Sequence, residues 1–276
     1  PDDLSLYNQL RQSMELIARV PVIVAHAFAA KRHYYNNESL YLHRPQPGLS
    51  VAENFLYSVR HDNQYTEQEA RLLDLCLVLH AEHGGGNNSA FSCRVLSSSG
   101  TDIYSAITAA VGALKGPRHG GANKKVMEMF GYLKEGVGDW KDDDEVKDFL
   151  GRILRREAGD GSGLIYGMGH AIYTLSDPRA VLLKRFAREL AETKGMMDQF
   201  QLLESVERLT PQVLKEVRGE KKVVCANVDL YSGLVYQMMG IPMELYTPLR
   251  GAHGGLVRPP HRGSHLPGQP HHPPGL

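Results

Sequence analysis

The sequence predicts a mainly α-helical protein. Apolar residues recur at three- and four-residue spacing in one segment after another, and these segments open on Asp or Thr and close on Gly or Pro. Strand signals are few and short. With 276 residues and 42% hydrophobic content, the chain can bury a sizeable core, in one large domain or two smaller ones.

Taken in order, Leu6, Leu10, Met14 and Ile17 stand at helical spacing and predict a first core helix. The apolar stretch over 20–30 is interrupted by Pro21 and His26 and falls short of the ~20 residues that span a bilayer, so neither a membrane anchor nor a signal peptide is expected. Segment 67–80 carries Leu72, Leu73, Leu75, Leu77 and Leu79 and reads as a largely buried helix. Thr101 is expected to cap an alanine-rich helix over 102–114, which Gly116 and Pro117 stop. Over 142–156 the acids come first and the bases last, matching the helix dipole. Asp177-Pro178 and Thr210-Pro211 each offer an N-cap followed by proline at the first helical position, so a helix is expected to start at each. Leu234, Val235, Met238 and Met239 share one face of a helix over 228–239 that Gly240 and Pro242 end.

Basic and acidic residues balance at 31 each, so no overall field draws nucleic acid or an anionic membrane, and the expected partner is a small molecule. Cys76, Cys93 and Cys225 are widely separated and form no CxxC pair. That argues against a disulfide framework and a structural zinc site and points to a cytoplasmic protein.

Three histidines stand in glycine-rich loops at the ends of apolar segments: His83 in LHAEHGGGN, His119 in LKGPRHGGAN at 114–123, and His170 in IYGMGH. A lone loop histidine is more often structural than catalytic. The repetition changes that balance, because glycine and proline bar regular structure and let the backbone approach a ligand closely. Other readings of the same residues fail on their missing parts. His80, Glu82 and His83 contain the HxE of zinc deaminases, but no PCxxC follows and HExxH is absent, so no metal site is expected. The HGGG at 83–86 has no GxSxG nucleophile to serve. Gly161, Gly163, Gly167 and Gly169 lack both GxGxxG spacing and a βαβ context.

These loops, together with TLSDPRA at 174–180 and NVDLYSGLVYQMMGIP at 227–242, resemble the citrate synthase family in content and in order, from about Asn54 to Pro248. The resemblance implies a two-domain helical fold with the active site in the cleft between domains. Residues 1–118 and 229–249 would belong to the large domain and 119–228 to the small, mobile one. It also implies an enzyme that needs no resident cofactor, acetyl-CoA being a co-substrate, and that condenses acetyl-CoA with oxaloacetate through an enol. Asp229 then matches the base that takes the methyl proton, near a helix start where the dipole favours negative charge. His119 matches the donor to the thioester oxygen, and His170 the group that polarises the ketone of oxaloacetate. His83 and Arg179 match two of the groups that hold the dianion, a task suited to the planar fork of arginine. Without the motif, Asp229 would read as a helix cap and Arg179 as an exposed helix residue. The expected partners are oxaloacetate, an acyl-CoA and a second copy of the chain.

Two alternatives stay open. A 2-methylcitrate synthase differs mainly by room for one more methylene in the acyl pocket, worth about 1–3 kcal/mol. A non-catalytic remnant that dimerises or binds acyl-CoA is suggested by the ends. The family carries a helical segment before the matched region, so the chain is expected to be truncated there. From Arg250 the last 27 residues hold six prolines, five histidines, six glycines and no acid, a composition that fits no packed core. This tail is expected to be disordered or aberrant, and no segment after Pro248 matches the family's further carboxylate-binding arginines.

Overall fold

The computed structural model describes residues 5–81, 86–116, 119–170, 173, 175–219 and 224–249. Among these, ten α-helices follow one another: α1 Leu6–Asn36, α2 Val51–Val59, α3 Glu67–Ala81, α4 Asn88–Ser98, α5 Ile103–Lys115, α6 Ala122–Gly136, α7 Asp143–Leu154, α8 Pro178–Lys194, α9 Met197–Arg218 and α10 Asp229–Met238. The fold is mainly α, and the one β feature among the described residues is an isolated antiparallel bridge between Met168 and Ala226. The tail over 250–276 lies outside the described residues.

One core gathers apolar side chains from α2, α3 and α6 to α10, including Phe55, Leu73, Phe130, Leu150, Leu190, Phe200 and Tyr236. A smaller cluster joins Cys93 of α4 to Ile103, Ala106, Ile107 and Ala110 of α5, with Leu16, Ile17 and Val20 of α1 packed on it. Helix α10 threads the main core, against α6 on one side and α8 on the other, and nearly every one of its residues is buried.

Local chemistry explains most helix ends. Asp142 caps α7 through the N–H groups of Asp144 and Glu145, and Asp177 caps α8 through the N–H of Arg179 with Pro178 at the first position. The pair Thr66 and Glu69 forms a reciprocal cap at α3: the Thr66 N–H donates to Glu69 Oε2 at 2.9 Å, and the Glu69 N–H to Thr66 Oγ1 at 3.2 Å.

Four expectations are corrected. The cap of α5 is Asp102, whose carboxylate accepts from the N–H of Ser105, and not Thr101. Thr210-Pro211 starts no helix but lies inside α9. There Thr210 Oγ1 donates to the Val206 carbonyl at 2.5 Å, so the hydroxyl bonds back into the preceding turn and does not cap a new one. Leu6, Leu10 and Met14 are 81%, 52% and 60% exposed, because the N-terminal turns of α1 run past the core. Finally, Pro21 does not end the apolar run. It sits within α1, which is long and apolar enough, by length and composition, to cross a membrane. Part of that apolarity serves packing, since Pro21, Ala25 and Phe28 are buried on one face and α1 lies against α2 and α5.

Candidate functional site

His119 follows the end of α5. Its N–H and that of Gly120 both donate to the Gly116 carbonyl, at 3.0 and 3.2 Å. Gly120 is required by space: a Cβ there would stand 1.9 Å from the Leu114 carbonyl oxygen and 3.0 Å from Thr247 Cγ2. Thr247 Oγ1 donates to the Gly120 carbonyl at 2.8 Å, tying the loop to the segment after α10. The ring is set by Ser89, a buried residue in the first turn of α4. Ser89 Oγ lies 2.8 Å from His119 Nε2, and the Ser89 N–H donates to the same nitrogen at 3.3 Å. A nitrogen that accepts from a backbone amide carries no proton, so the neutral ring keeps its proton on Nδ1, which becomes the donor.

His170 is placed by a different device. The Gly169 N–H donates to the Cys225 carbonyl at 2.8 Å and the Asn227 N–H to the Gly167 carbonyl at 2.9 Å, flanking the Met168–Ala226 bridge. Gly167 needs both its freedoms: φ is +84°, and a Cβ would stand 2.9 Å from Leu230 Cα. The side chain of Asn227 joins the two segments, donating through Nδ2 to the Gly169 carbonyl at 2.9 Å and accepting from the Asp229 N–H at 3.0 Å through Oδ1. The loop that ends in His170 is thereby fixed to the start of α10, where Asp229 is buried.

Around His170 the charges converge. Nδ1 accepts from the Tyr173 N–H at 3.1 Å, so the proton of the neutral ring is on Nε2. Arg179 Nη2 stands 3.2 Å from that nitrogen and Asp177 Oδ2 3.9 Å from it. Asp177 has no exposed side-chain surface and accepts from Arg179 Nε at 3.1 Å and Nη2 at 2.8 Å. Burial alone would raise the Asp177 carboxyl, but the hydrogen bonds and charge of Arg179 outweigh it and hold the group below the usual carboxylate range. The same hydrogen bonds raise Arg179, and the charge of Asp229 adds to that shift, which sets Asp229, Arg179, Asp177 and His170 in one electrostatic neighbourhood. A cavity of about 220 Å³ opens beside His170, lined among others by Met168, Leu214, Arg218 and Val224.

His83 lies outside the described residues, as does Glu82. His80 of the same segment is buried in α3 and donates through Nδ1 to the Cys76 carbonyl at 2.7 Å, a hydrogen bond internal to the helix. Sequence reasoning missed Ser89, Asp177 and Asn227 as parts of the site. Asp177 was legible as a cap only, and Asn227 stood in the quoted motif beside Asp229.

Residues 3–253 match the family described as citrate synthase, C-terminal domain. The chain belongs to the citrate synthase family. It is 38% identical over 210 residues to the citrate synthase of Deinococcus radiodurans, an alignment that covers 74% of this chain and 49% of the relative. It is 30% identical over 246 residues to the 2-methylcitrate synthase of Shewanella oneidensis, covering 89% of this chain and 58% of that one. Among solved structures it is similar to citrate synthase from the thermophilic archaeon Thermoplasma acidophilum, in ternary complex with carboxymethyl coenzyme A and oxaloacetate, with a TM-score of 0.69 and 26% identity over 92% of this chain and 60% of that chain. The chain thus spans about half to three fifths of the length of these members of the citrate synthase family.

Proposed function

We propose that the site performs citrate synthase chemistry, converting acetyl-CoA, oxaloacetate and water to citrate and CoA. The Asp229 carboxylate takes a proton from the methyl carbon of acetyl-CoA while His119 Nδ1–H donates to the thioester oxygen, and the C–H electron pair becomes the carbon–carbon double bond of the enol. That carbon then attacks the ketone carbon of oxaloacetate, whose oxygen accepts from His170 Nε2–H. Water cleaves the resulting thioester and releases CoA. His83 and Arg179 bind the carboxylates of oxaloacetate. Acetyl-CoA is a co-substrate, and protein groups carry every step.

One observation above all supports this reading. His170 Nε2 and Arg179 Nη2 stand 3.2 Å apart, close enough for one small oxygen-rich anion to reach both. The loop that carries His170 is tied through Asn227 to the start of α10, where the Asp229 carboxylate is buried. Mixing the purified chain with acetyl-CoA, oxaloacetate and a thiol reagent tests the proposal. Release of CoA that needs oxaloacetate and is lost in Asp229→Ala is expected, and folded wild-type protein that releases none would overturn it.

Propionyl-CoA as the acyl donor is the second reading, favoured by the similarity to a 2-methylcitrate synthase; a higher kcat/KM with propionyl-CoA than with acetyl-CoA would select it. The chain acts in the cytoplasm as a homodimer on this reading. Phe91, Val95, Tyr104 and Val111 leave α4 and α5 with a large exposed apolar surface, which a second copy would cover. Sedimentation at the mass of two chains is expected.

A further inference from the structure

On the reading that Asp229 is the base, we propose that Tyr231 is the positioning residue for its carboxylate, anchoring the first turn of α10 from behind through Glu207. The start of α10 is reinforced from one residue further out than usual. Val228, the residue before it, is in helical conformation and offers no side-chain cap bond, so the first turn leans on Asn227 and on tertiary ties. Asn227 steadies the front through the Asp229 N–H. Successive residues of a helix are turned by about 100°, so Tyr231 points about 200° away from Asp229, toward the opposite side.

On that side the tie is strong. The Tyr231 ring is fully buried and its hydroxyl donates to Glu207 Oε2 of α9 at 2.5 Å. The same carboxylate oxygen accepts from Lys184 Nζ of α8 at 2.7 Å. Lys184 also reaches Glu204 at 3.2 Å and lies 5.6 Å from the centre of the Tyr231 ring. Three helices therefore meet at one Glu207 oxygen, and the Tyr231 hydroxyl that joins α10 to it stands two residues beyond the carboxylate that must meet a carbon-bound proton. Of the groups that bind oxaloacetate in this mechanism, His170 stands in a loop outside the clamp, and Arg179, in the first turn of α8, is held by Asp177 and not by Tyr231.

Because Arg179 keeps Asp177 and Lys184 keeps Glu207 when the Tyr231 hydroxyl is removed, a test follows that a general loss of stability would not mimic. Tyr231→Phe keeps the ring and leaves Glu207 paired with Lys184. We expect kcat to fall about tenfold, the worth of one strong hydrogen bond, with KM for oxaloacetate unchanged. The isotope effect with methyl-deuterated acetyl-CoA should rise, since proton abstraction becomes slower than the later steps. Glu207→Gln, which keeps an acceptor for the hydroxyl, should retain most of the rate, and Glu207→Leu should behave like Tyr231→Phe. Amide hydrogen exchange across residues 229–233 should quicken in Tyr231→Phe. Wild-type kcat and isotope effect in Tyr231→Phe would overturn the inference, as would a parallel rise in KM for oxaloacetate. Should the wild type itself release no CoA, the function proposed for Asp229 fails, and hydrogen exchange still decides the anchor: unchanged protection over 229–233 overturns it.

Discussion

Asp177 grips Arg179 three ways, accepting from its backbone N–H at 3.0 Å, from Nε at 3.1 Å and from Nη2 at 2.8 Å. The cap of α8 and the side-chain hold on Arg179 are thus one assembly. Asp177→Asn should leave the buried guanidinium poorly compensated and destabilise the fold by about 3 kcal/mol, while raising KM for oxaloacetate at least tenfold. Because the native Asp177 carboxyl lies below its ordinary value of 3.8, its contribution is present above about pH 4 and is lost as pH falls through the lower native value. Urea unfolding at pH 7 and pH 3 should show the gap between wild type and variant narrowing at the acid end.

Glu69 is the second buried carboxylate with a structural task. It accepts from Arg60 at 2.9 Å and Lys194 at 2.7 Å, and Arg60 also reaches the Met239 carbonyl at the end of α10. Burial opposes ionisation there, but these partners hold the carboxyl at about 2. Against an unfolded value of 4.5, the difference stabilises the fold at neutral pH by on the order of 3 kcal/mol. That stability is complete above about pH 4.5 and drains away down to pH 2. Glu69→Gln should therefore lose urea resistance at pH 7 and much less at pH 2.5.

Two glycine substitutions should have opposite signs. Gly120→Ala drives a Cβ into the Leu114 carbonyl and should cost about 1–3 kcal/mol together with most of the turnover, since His119 moves with the loop. Gly131→Ala, in the middle of α6 with nothing within 4 Å of the added carbon, should stabilise the protein by about 0.5–1 kcal/mol. Thermal denaturation of the two variants beside the wild type checks both.

Ser89→Ala removes the hydroxyl from His119 Nε2 but keeps the backbone N–H that faces the same nitrogen. The ring should remain in place with a looser tautomer. Turnover should fall about three- to tenfold, consistent with a net hydrogen bond of about 0.5–1.5 kcal/mol, and KM for oxaloacetate should stay constant. Steady-state kinetics with acyl-CoA and oxaloacetate varied separately would measure the split.

What the sequence made legible was chemistry confined to a few neighbours. Asp177-Pro178 announces a helix start because cap and proline act within one turn, and the TEQE run at 66–69 carries the reciprocal cap of α3 in the same local way. Thr210-Pro211 carries the same signature as Asp177-Pro178, yet the long apolar face of α9 runs through it, burying Leu209, Val213 and Leu214, and tertiary packing overrides the local signal. Leu6 and Met14 have a core pattern, but a pattern states which residues share a face and not what lies opposite. His119, His170 and Asp229 were marked by their motifs. Ser89, Asn227 and Asp177 act through side chains that meet partners from other segments or serve two tasks at once, and no spacing rule encodes that.

The Met168–Ala226 bridge closes over the whole of α8 and α9, which lie between its two residues in the chain. His170 and Asp229 become neighbours only after that long excursion has folded back, a contact of high sequence separation that is slow to form and late to be rewarded. Each helix can form from its own residues, whereas the reactive geometry depends on the return. Helical content and the assembly of this site are therefore separable properties of the chain, and a preparation with a full circular dichroism signal can still lack the register that brings His170 to the start of α10.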